Sequence, residues 1–210
     1  MQIAFLLFDR LTTLDAIGPY EVLQRLPHAE VRFVAREPGE KRDEKGFAAL
    51  VADHSLDDVT SPDVIVVPGG FGTRALVEDE VVLDWVRAVH SNTKYTTSVC
   101  TGSLVLGAAG ILHGMPATSH WLALDMLSRY GAEPTTQRIV EVGKVITSAG
   151  ESAGIDLALL LAERIAGPDV AQAIQLQIEY DPQPPFDAGS PEKAPPEIVE
   201  RVRAGGVESA

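Results

Sequence analysis

Two patterns of apolar residues alternate along the chain. Short continuous apolar runs, expected of strands covered on both faces, are separated by segments whose apolar residues recur at helical spacing. The predicted strands are Gln2–Phe8, Glu30–Ala35, Phe47–Ala52, Asp63–Val67 and Tyr95–Val99. The predicted helices are Leu14–Leu26, Val77–His90, Thr101–Ala109, Gly154–Ile165 and Asp169–Glu179. Because strands separated by helices usually pair in parallel, this order predicts an α/β fold with a mostly parallel central sheet.

The end of the chain follows a different pattern. Residues 138–147 alternate around Gly143 and predict a hairpin, whereas six of the 14 prolines lie between Pro182 and Pro196. We therefore expect one domain over residues 1–180 and a Pro-rich arm over residues 181–210. Phe186 and Ile198–Val202 give this arm apolar side chains to bury on the domain or on a partner subunit, and a frayed tail is the alternative.

Composition excludes several classes of function. The 210 residues include 17 Lys and Arg against 30 Asp and Glu, a net charge of −13. Such a surface repels phosphate backbones and anionic lipids, so we expect neither nucleic acid nor membrane as a partner. The apolar run Ile3–Phe8 is too short for a signal-peptide core, which favours a cytoplasmic protein. A single cysteine excludes an intrachain disulfide and a cysteine-cluster metal site.

That cysteine, Cys100, stands where a β-rich run meets small residues that can open a helix. Thr96–Ser103 has the sequence form of a nucleophile elbow, with Gly102 allowing strand and helix to approach closely. A helix N-terminus favours the thiolate and can stabilise negative charge on a substrate. The alternative is a buried cysteine with a structural role.

A nucleophile needs a proton partner, and Asp15 is the better candidate. No histidine lies within ten residues after Cys100, whereas Asp15 follows the first strand and is expected at the same carboxyl edge of the sheet. Burial and a neighbouring thiol can keep such an acid protonated for general acid catalysis. Its alternative role is an N-cap of the first helix. His120 is expected to line a pocket, support the site or cap a helix.

The turn Pro68-Gly69-Gly70 follows the strongest central strand. We expect the N–H groups of Gly69 and Gly70 to face the pocket beside Cys100 and complete an oxyanion-type site. A plain turn is the alternative. Trp121 and Ile17 are candidates for its apolar walls.

These motifs together resemble the ThiJ/PfpI superfamily, and within it the isonitrile hydratase group. The resemblance covers nearly the whole chain. It is carried by Asp15-Ala16-Ile17-Gly18-Pro19, Pro68-Gly69-Gly70, Ser98-Val99-Cys100-Thr101-Gly102-Ser103, Leu104–Gly110, Ala117-Thr118-Ser119-His120-Trp121, Gln175–Tyr180 and Pro184–Pro191.

The resemblance implies a flavodoxin-like three-layer sandwich, the fold of class I glutamine amidotransferases. It also implies an enzyme that adds water to an isonitrile to give an N-substituted formamide, with no metal and no organic cofactor. Cys100 would be the nucleophile, Asp15 the acid/base and Thr101 a hydroxyl that positions the site. A homodimer is expected.

Three other interpretations remain. Cys100 could serve an oxidative-stress sensor, because a low-pKa, accessible thiolate oxidises readily. A glyoxalase or deglycase of the same superfamily is the second, although such relatives usually carry glutamate where Asp15 stands. A ligand-binding module of a transcription regulator is disfavoured, since no helix-turn-helix segment is recognised. Thr101 in place of histidine after the cysteine counts against a peptidase.

Overall fold

The computed structural model describes residues 1–205 and confirms the α/β class. It contains eleven strands within the described residues: β1 Gln2–Leu6, β2 Glu30–Ala35, β3 Gly39–Arg42, β4 Ala49–Ala52, β5 His54–Ser55, β6 Val64–Val67, β7 Tyr95–Val99, β8 Pro116–Ala117, β9 Glu133–Pro134, β10 Ile139–Val142 and β11 Val145–Ser148. The helices are α1 Thr13–Leu23, α2 Thr73–Leu76, α3 Glu80–Asn92, α4 Gly102–Ala108, α5 Ala153–Ala166, α6 Pro168–Gln177 and α7 Pro196–Arg203, with a 3-10 helix at Trp121–Tyr130.

The chain divides into two compact units, Met1–Ile178 and Glu179–Ala210. The second unit contains α7, and the last five residues of the predicted arm, 206–210, lie outside the described residues. How the Pro-rich segment packs stays a prediction.

Seven strands form the central sheet of the first unit, in the order β10-β11-β7-β6-β1-β2-β5. Every neighbouring pair is parallel except β10 and β11, the predicted hairpin. The carboxyl ends of β1, β6 and β7 therefore meet at one edge, which places the loops after residues 6, 67 and 99 together.

Alternate residues of the strands pack into two apolar layers. Ile3 and Phe5 face the layer that contains Val22 of α1 and Leu157 of α5, whereas Ala4 and Leu6 face the opposite layer. Helices α1, α5 and α6 pack together, and α2, α3 and α4 form a separate group, which completes the three-layer sandwich. None of the helices described between residues 1 and 205 is long and apolar enough to cross a membrane.

Two predicted elements differ from the structure. The strand predicted at Phe47–Ala52 is β4, which pairs with β3 in a two-stranded ribbon outside the central sheet. The helix predicted at Val77–His90 is α3, which begins only at Glu80, because the Asp79 carboxylate accepts hydrogen bonds from the N–H groups of Val81 and Val82 and caps the helix there. Val81, predicted on the apolar face, is exposed.

Candidate functional site

The turn after β7 holds Cys100 in an unusual backbone conformation. Its φ is +57°, in the left-handed region that costs energy for a residue with a side chain. The surrounding structure fixes it from both sides: the Cys100 N–H donates to the carbonyls of Ser148 and Ala149 at 3.1 and 3.2 Å. The Cys100 carbonyl accepts from the hydroxyls of Ser103 and Ser119, each at 3.1 Å. A strained cysteine thus stands between a strand and a helix.

Gly102 makes this turn feasible, as the sequence predicts. A Cβ atom at this position would lie 2.0 Å from the Val67 carbonyl oxygen and 2.8 Å from that of Pro68. The start of α4 can therefore approach the end of β6 only because residue 102 has no side chain. This approach brings the turns after β6 and β7 together.

The thiol of Cys100 is buried, with 5% of the residue exposed. Burial raises its pKa well above the ordinary value, the negative charge of Asp15 raises it further, and the backbone N–H groups of Thr101 and Glu151 oppose the rise. The expectation of a thiolate favoured by a helix N-terminus is therefore wrong: desolvation by burial is the largest influence on the pKa of Cys100, and it favours the neutral thiol.

Asp15 lies inside the first turn of α1, and its side chain is fully buried. The alternative of an N-cap is therefore wrong, because Thr12 occupies that position. One carboxyl oxygen, Oδ2, accepts a hydrogen bond from the Gly69 N–H at 2.9 Å. The other oxygen, Oδ1, is buried without a hydrogen-bond partner within the described part of the chain.

Burial is the main reason that the pKa of Asp15 rises to about 7. The Gly69 N–H and the Cys100 thiol oppose this rise, whereas the negative charges of Glu151 and Glu44 add to it. Since Oδ2 already accepts an N–H, the proton of the neutral acid belongs on Oδ1. Asp15 is thus an acid that exchanges its proton near neutral pH.

The loop after β6 connects the acid to Thr101. Gly70 donates its N–H to Thr101 Oγ1 at 2.9 Å, and the Gly70 carbonyl accepts from the hydroxyls of Thr101 and Thr73 at 3.2 and 2.8 Å. A Cβ on Gly69 would lie 2.5 Å from Thr101 N and 2.8 Å from Asp15 Oδ2. Glycine is therefore required at 69 by space alone.

These contacts correct one prediction. The sequence predicts that the N–H groups of Gly69 and Gly70 face the pocket and hold developing negative charge. Both are instead engaged inside the protein, by Asp15 and by Thr101. The amides that interact with the Cys100 thiol belong to Thr101 and Glu151.

Comparison with known proteins places this geometry in a family. The DJ-1/PfpI family pattern matches residues 1–164. The chain belongs to the DJ-1/PfpI family. It is 47% identical to an isonitrile hydratase from Pseudomonas putida over 97% of this chain and 89% of that protein. It is 29% identical to a glutathione-independent glyoxalase from Caenorhabditis elegans over 60% of this chain and 69% of the relative.

A solved structure shares nearly the whole fold. The crystal structure of a ThiJ/PfpI family protein from Pseudomonas syringae superposes with a TM-score of 0.94 at 37% identity. The match covers 97% of this chain and 84% of that one. The predicted membership of the ThiJ/PfpI superfamily is confirmed.

In this DJ-1/PfpI protein, His120 caps the 3-10 helix. Its Nδ1 accepts from the Leu122 N–H at 3.3 Å, its ring packs against Gly150, and burial lowers its pKa. The rings of His120 and Trp121 have their centroids 6.1 Å apart. Capping, one of the expected roles of His120, is thus observed, and Trp121 and Ile17 stay predictions as pocket walls.

Sequence reasoning missed several residues that support the site. Ser119, Ser103 and Thr73 fix the turns with their hydroxyls, and Ser119 and Ser103 lie within stretches that carry the resemblance to the superfamily. Glu44 and Glu151 come from remote loops and had no signal in the sequence. Both act electrostatically on Asp15 and His120.

No group of three or more His, Cys, Asp or Glu side chains that could hold a metal ion occurs among residues 1–205. The functional groups at this site are the Cys100 thiol, the Asp15 carboxyl, hydroxyls and backbone amides. This set can add a nucleophile to an electrophilic carbon and move one proton. Independence from a cofactor stays a prediction.

Proposed function

We propose that this protein hydrates isonitriles to N-substituted formamides, with Cys100 as nucleophile and Asp15 as general acid and base. The observation that carries the proposal is the acid: a buried carboxyl with a pKa of about 7, one unpartnered oxygen within the described part of the chain and an adjacent thiol. The 47% identity to the isonitrile hydratase of Pseudomonas putida supports the choice of substrate.

The reactive pair holds one proton in total. Because the pKa of Cys100 lies well above that of Asp15, the proton rests on the sulfur when Asp15 is ionised. Asp15 takes this proton through Oδ1 as the sulfur attacks, so a free thiolate need not accumulate. The pair loses its base when Asp15 is protonated, and activity should therefore fall below about pH 7.

In the first half of the reaction, the Cys100 sulfur bonds to the terminal carbon of the isonitrile. The lone pair of that carbon accepts the proton that Asp15 has taken from the thiol. The product is a thioimidate, in which the former isonitrile carbon carries the sulfur, one hydrogen and a double bond to nitrogen. No electrons enter or leave, and Asp15 returns to its carboxylate form.

In the second half, water adds to the thioimidate carbon. Asp15 removes a proton from the water and the nitrogen is protonated, which gives a tetrahedral intermediate bearing the sulfur and a hydroxyl group. Collapse of this intermediate expels the Cys100 sulfur, which regains its proton, and leaves the formamide. The sum is one isonitrile plus one water.

The backbone and Thr101 assist each half. The N–H groups of Thr101 and Glu151 interact with the Cys100 sulfur and stabilise negative charge on it as it is expelled. The Thr101 hydroxyl is bonded at both ends to Gly70 and holds the turn of Cys100 against the loop after β6. We assign Thr101 a positioning role on this ground.

The proposal is tested with purified protein and simple alkyl and aryl isonitriles, with the formamide measured by NMR. The wild type is expected to form formamide, and Cys100→Ala is expected to lose this activity by at least about a thousandfold. Alanine fits the same turn without adding atoms, so a folded variant is expected.

Two results would remove the proposal. One is formamide production by a folded Cys100→Ala variant at the wild-type rate. The other is no turnover of any isonitrile by the folded wild type, in which case methylglyoxal is the next substrate to try. The circular dichroism spectrum and the midpoint of urea unfolding serve as the check on folding.

An oxidative-stress sensor fits the site less well, because burial and a raised pKa both slow the oxidation of a thiol. The expectations of a homodimer, a cytoplasmic location and a small-molecule substrate remain part of this proposal. The resemblance to the superfamily supports the homodimer and the substrate, and the short apolar run Ile3–Phe8 supports the location.

A further inference from the structure

Glu44 lies far from Cys100 in sequence, in the turn that joins β3 to β4. Its carboxylate accepts a hydrogen bond from the Phe71 N–H at 2.6 Å and a longer one from the Thr12 hydroxyl at 3.5 Å. The ribbon is also tied to the segment after β1, because the Arg10 N–H donates to the Arg42 carbonyl at 2.7 Å. The turn of the ribbon is thus held next to the loop that carries Gly69 and Gly70.

The Phe71 N–H and the Gly70 carbonyl belong to the same peptide group. Glu44 bonds to one end of this group, and the hydroxyls of Thr101 and Thr73 bond to the other end. Because the peptide group is planar, fixing the N–H direction also fixes the carbonyl direction. A charged acceptor on the N–H further polarises the carbonyl and strengthens the bonds that it accepts.

The conformation of this loop needs such support. Gly70 has a φ of +128°, and a Cβ there would lie 2.5 Å from Thr12 N, so the backbone is closely surrounded. The guanidinium groups of Arg10 and Arg74 both lie over the ring of Phe71, the next residue, at 4.2 and 3.8 Å from its centroid. The loop is therefore oriented by its peptide partners and by the packing of one aromatic ring.

We propose that Glu44 is a positioning residue of the site, which acts on Thr101 through the Gly70–Phe71 peptide and adds negative charge beside Asp15. The inference rests on the proposed function for its kinetic readout alone. The groups that act on the pKa of Asp15 are the Cys100 thiol, the Gly69 N–H and, through their negative charge, the carboxylates of Glu151 and Glu44. Removing the charge of Glu44 therefore lowers the pKa of Asp15.

Two substitutions separate the two effects. Glu44→Ala removes both the acceptor and the charge, whereas Glu44→Gln keeps an acceptor for the Phe71 N–H and removes only the charge. Glu40→Ala is the matched control, because Glu40 lies on the same ribbon and pairs with Arg42. Circular dichroism first checks that the three variants are folded like the wild type.

With an isonitrile as substrate, kcat/KM is expected to fall about fivefold in Glu44→Ala and less than about twofold in Glu44→Gln. In both variants the acidic limb of the pH profile should move about half a pH unit lower. In a Thr101→Val background the effect of Glu44→Ala on kcat/KM should largely disappear, because the two residues act through one peptide.

A second readout does not require that isonitriles are the substrate. Cys100 is the only cysteine in the chain, so alkylation by iodoacetamide followed by mass spectrometry reports on this thiol alone. The pH dependence of that rate should shift in both Glu44 variants and stay unchanged in Glu40→Ala. If the Glu44 variants match Glu40→Ala in alkylation, the inference is wrong, whatever the outcome with isonitriles.

Discussion

Two aspartates lie at opposite ends of β6, and the protein treats their charges in opposite ways. Asp63 directly precedes this strand, and its carboxylate accepts from the Gln2 N–H at 2.8 Å and pairs with Lys94 at 2.9 Å. These contacts lower its pKa. Asp15 bonds to Gly69 just beyond the other end of the strand, is fully buried, and has its pKa raised to about 7.

The difference comes from water and counter-charge. Asp63 keeps part of its hydration and gains a cation, so its ionised form is the stable one. Asp15 loses its hydration, and the charges that act on it, from Glu151 and Glu44, are negative. The amino end of the sheet thus holds a fixed charge, whereas the carboxyl end holds an acid that can give and take a proton at neutral pH.

The largest expected effect follows from Asp15→Asn. Below about pH 4 the carboxyl is protonated in both the folded and the unfolded state and contributes nothing. Between the ordinary aspartate pKa of 3.8, which applies to the unfolded chain, and the folded value of about 7, the unfolded chain releases a proton that the folded protein keeps. The free energy of unfolding of the wild type should therefore fall by about 4 kcal/mol relative to Asp15→Asn across this range.

Urea unfolding of both proteins at several pH values between about 4 and 8 measures this difference. Asparagine can still accept the Gly69 N–H, so the variant isolates the charge. A wild-type stability that rises in parallel with that of the variant would contradict the raised pKa. The variant should also lose isonitrile turnover, because an amide cannot take the thiol proton.

Gly69→Ala tests the hydrogen bond that fixes the same acid. The added Cβ would meet Thr101 N at 2.5 Å and Asp15 Oδ2 at 2.8 Å, so the loop must move. We expect a loss of about 2 kcal/mol in the free energy of unfolding. Because the Gly69 N–H opposes the raised pKa of Asp15, weakening this bond should raise that pKa further.

The control for this substitution is Gly189→Ala, where a Cβ meets no atom within 4 Å. Its stability should stay within about 0.5 kcal/mol of the wild type. Two results would contradict this role of the Gly69 N–H. One is a free energy of unfolding of Gly69→Ala as close to the wild type as that of Gly189→Ala. The other is an acidic limb of the pH–activity profile that moves to lower pH.

Much of the fold could be predicted from sequence because local pattern determines it. Strands β2 and β7 have the predicted bounds, since each is a continuous β-rich run between turn residues. Strand β3 was not predicted, because Gly39–Arg42 contains no apolar residue, and β4 could not be separated from the central sheet by its apolar pattern. The helix predicted from Val77 begins instead at Glu80, since Asp79 caps it with two side-chain hydrogen bonds.

The site was predictable to the extent that its residues lie at strand ends. Cys100, Asp15 and Gly69 follow β7, β1 and β6, and parallel strands bring these positions to one edge. The direction of a pKa shift was less accessible, because it depends on burial and on charges from distant loops. Glu44 shows this limit: its carboxylate reaches Phe71, 27 residues away, through a turn that the sequence leaves unremarkable.

The smallest expected effect is at the amino end, in Asp63→Asn. The pKa of Asp63 is lowered in the folded protein, so its contribution to stability is present above the unfolded value of 3.8 and is lost as the pH falls through the folded value. Lys94 is 67% exposed, so the loss above about pH 5 should be below about 1 kcal/mol. Asparagine still accepts the Gln2 N–H, and the variant therefore measures the ion pair alone.

High salt should reduce the difference in the free energy of unfolding between the wild type and Asp63→Asn, because the ion pair is open to solvent. The opposite result would be a free energy of unfolding that increases more with rising pH in the variant than in the wild type. It would mean that the pKa of Asp63, like that of Asp15, is raised in the folded protein, and the contrast between the two ends of β6 would be wrong.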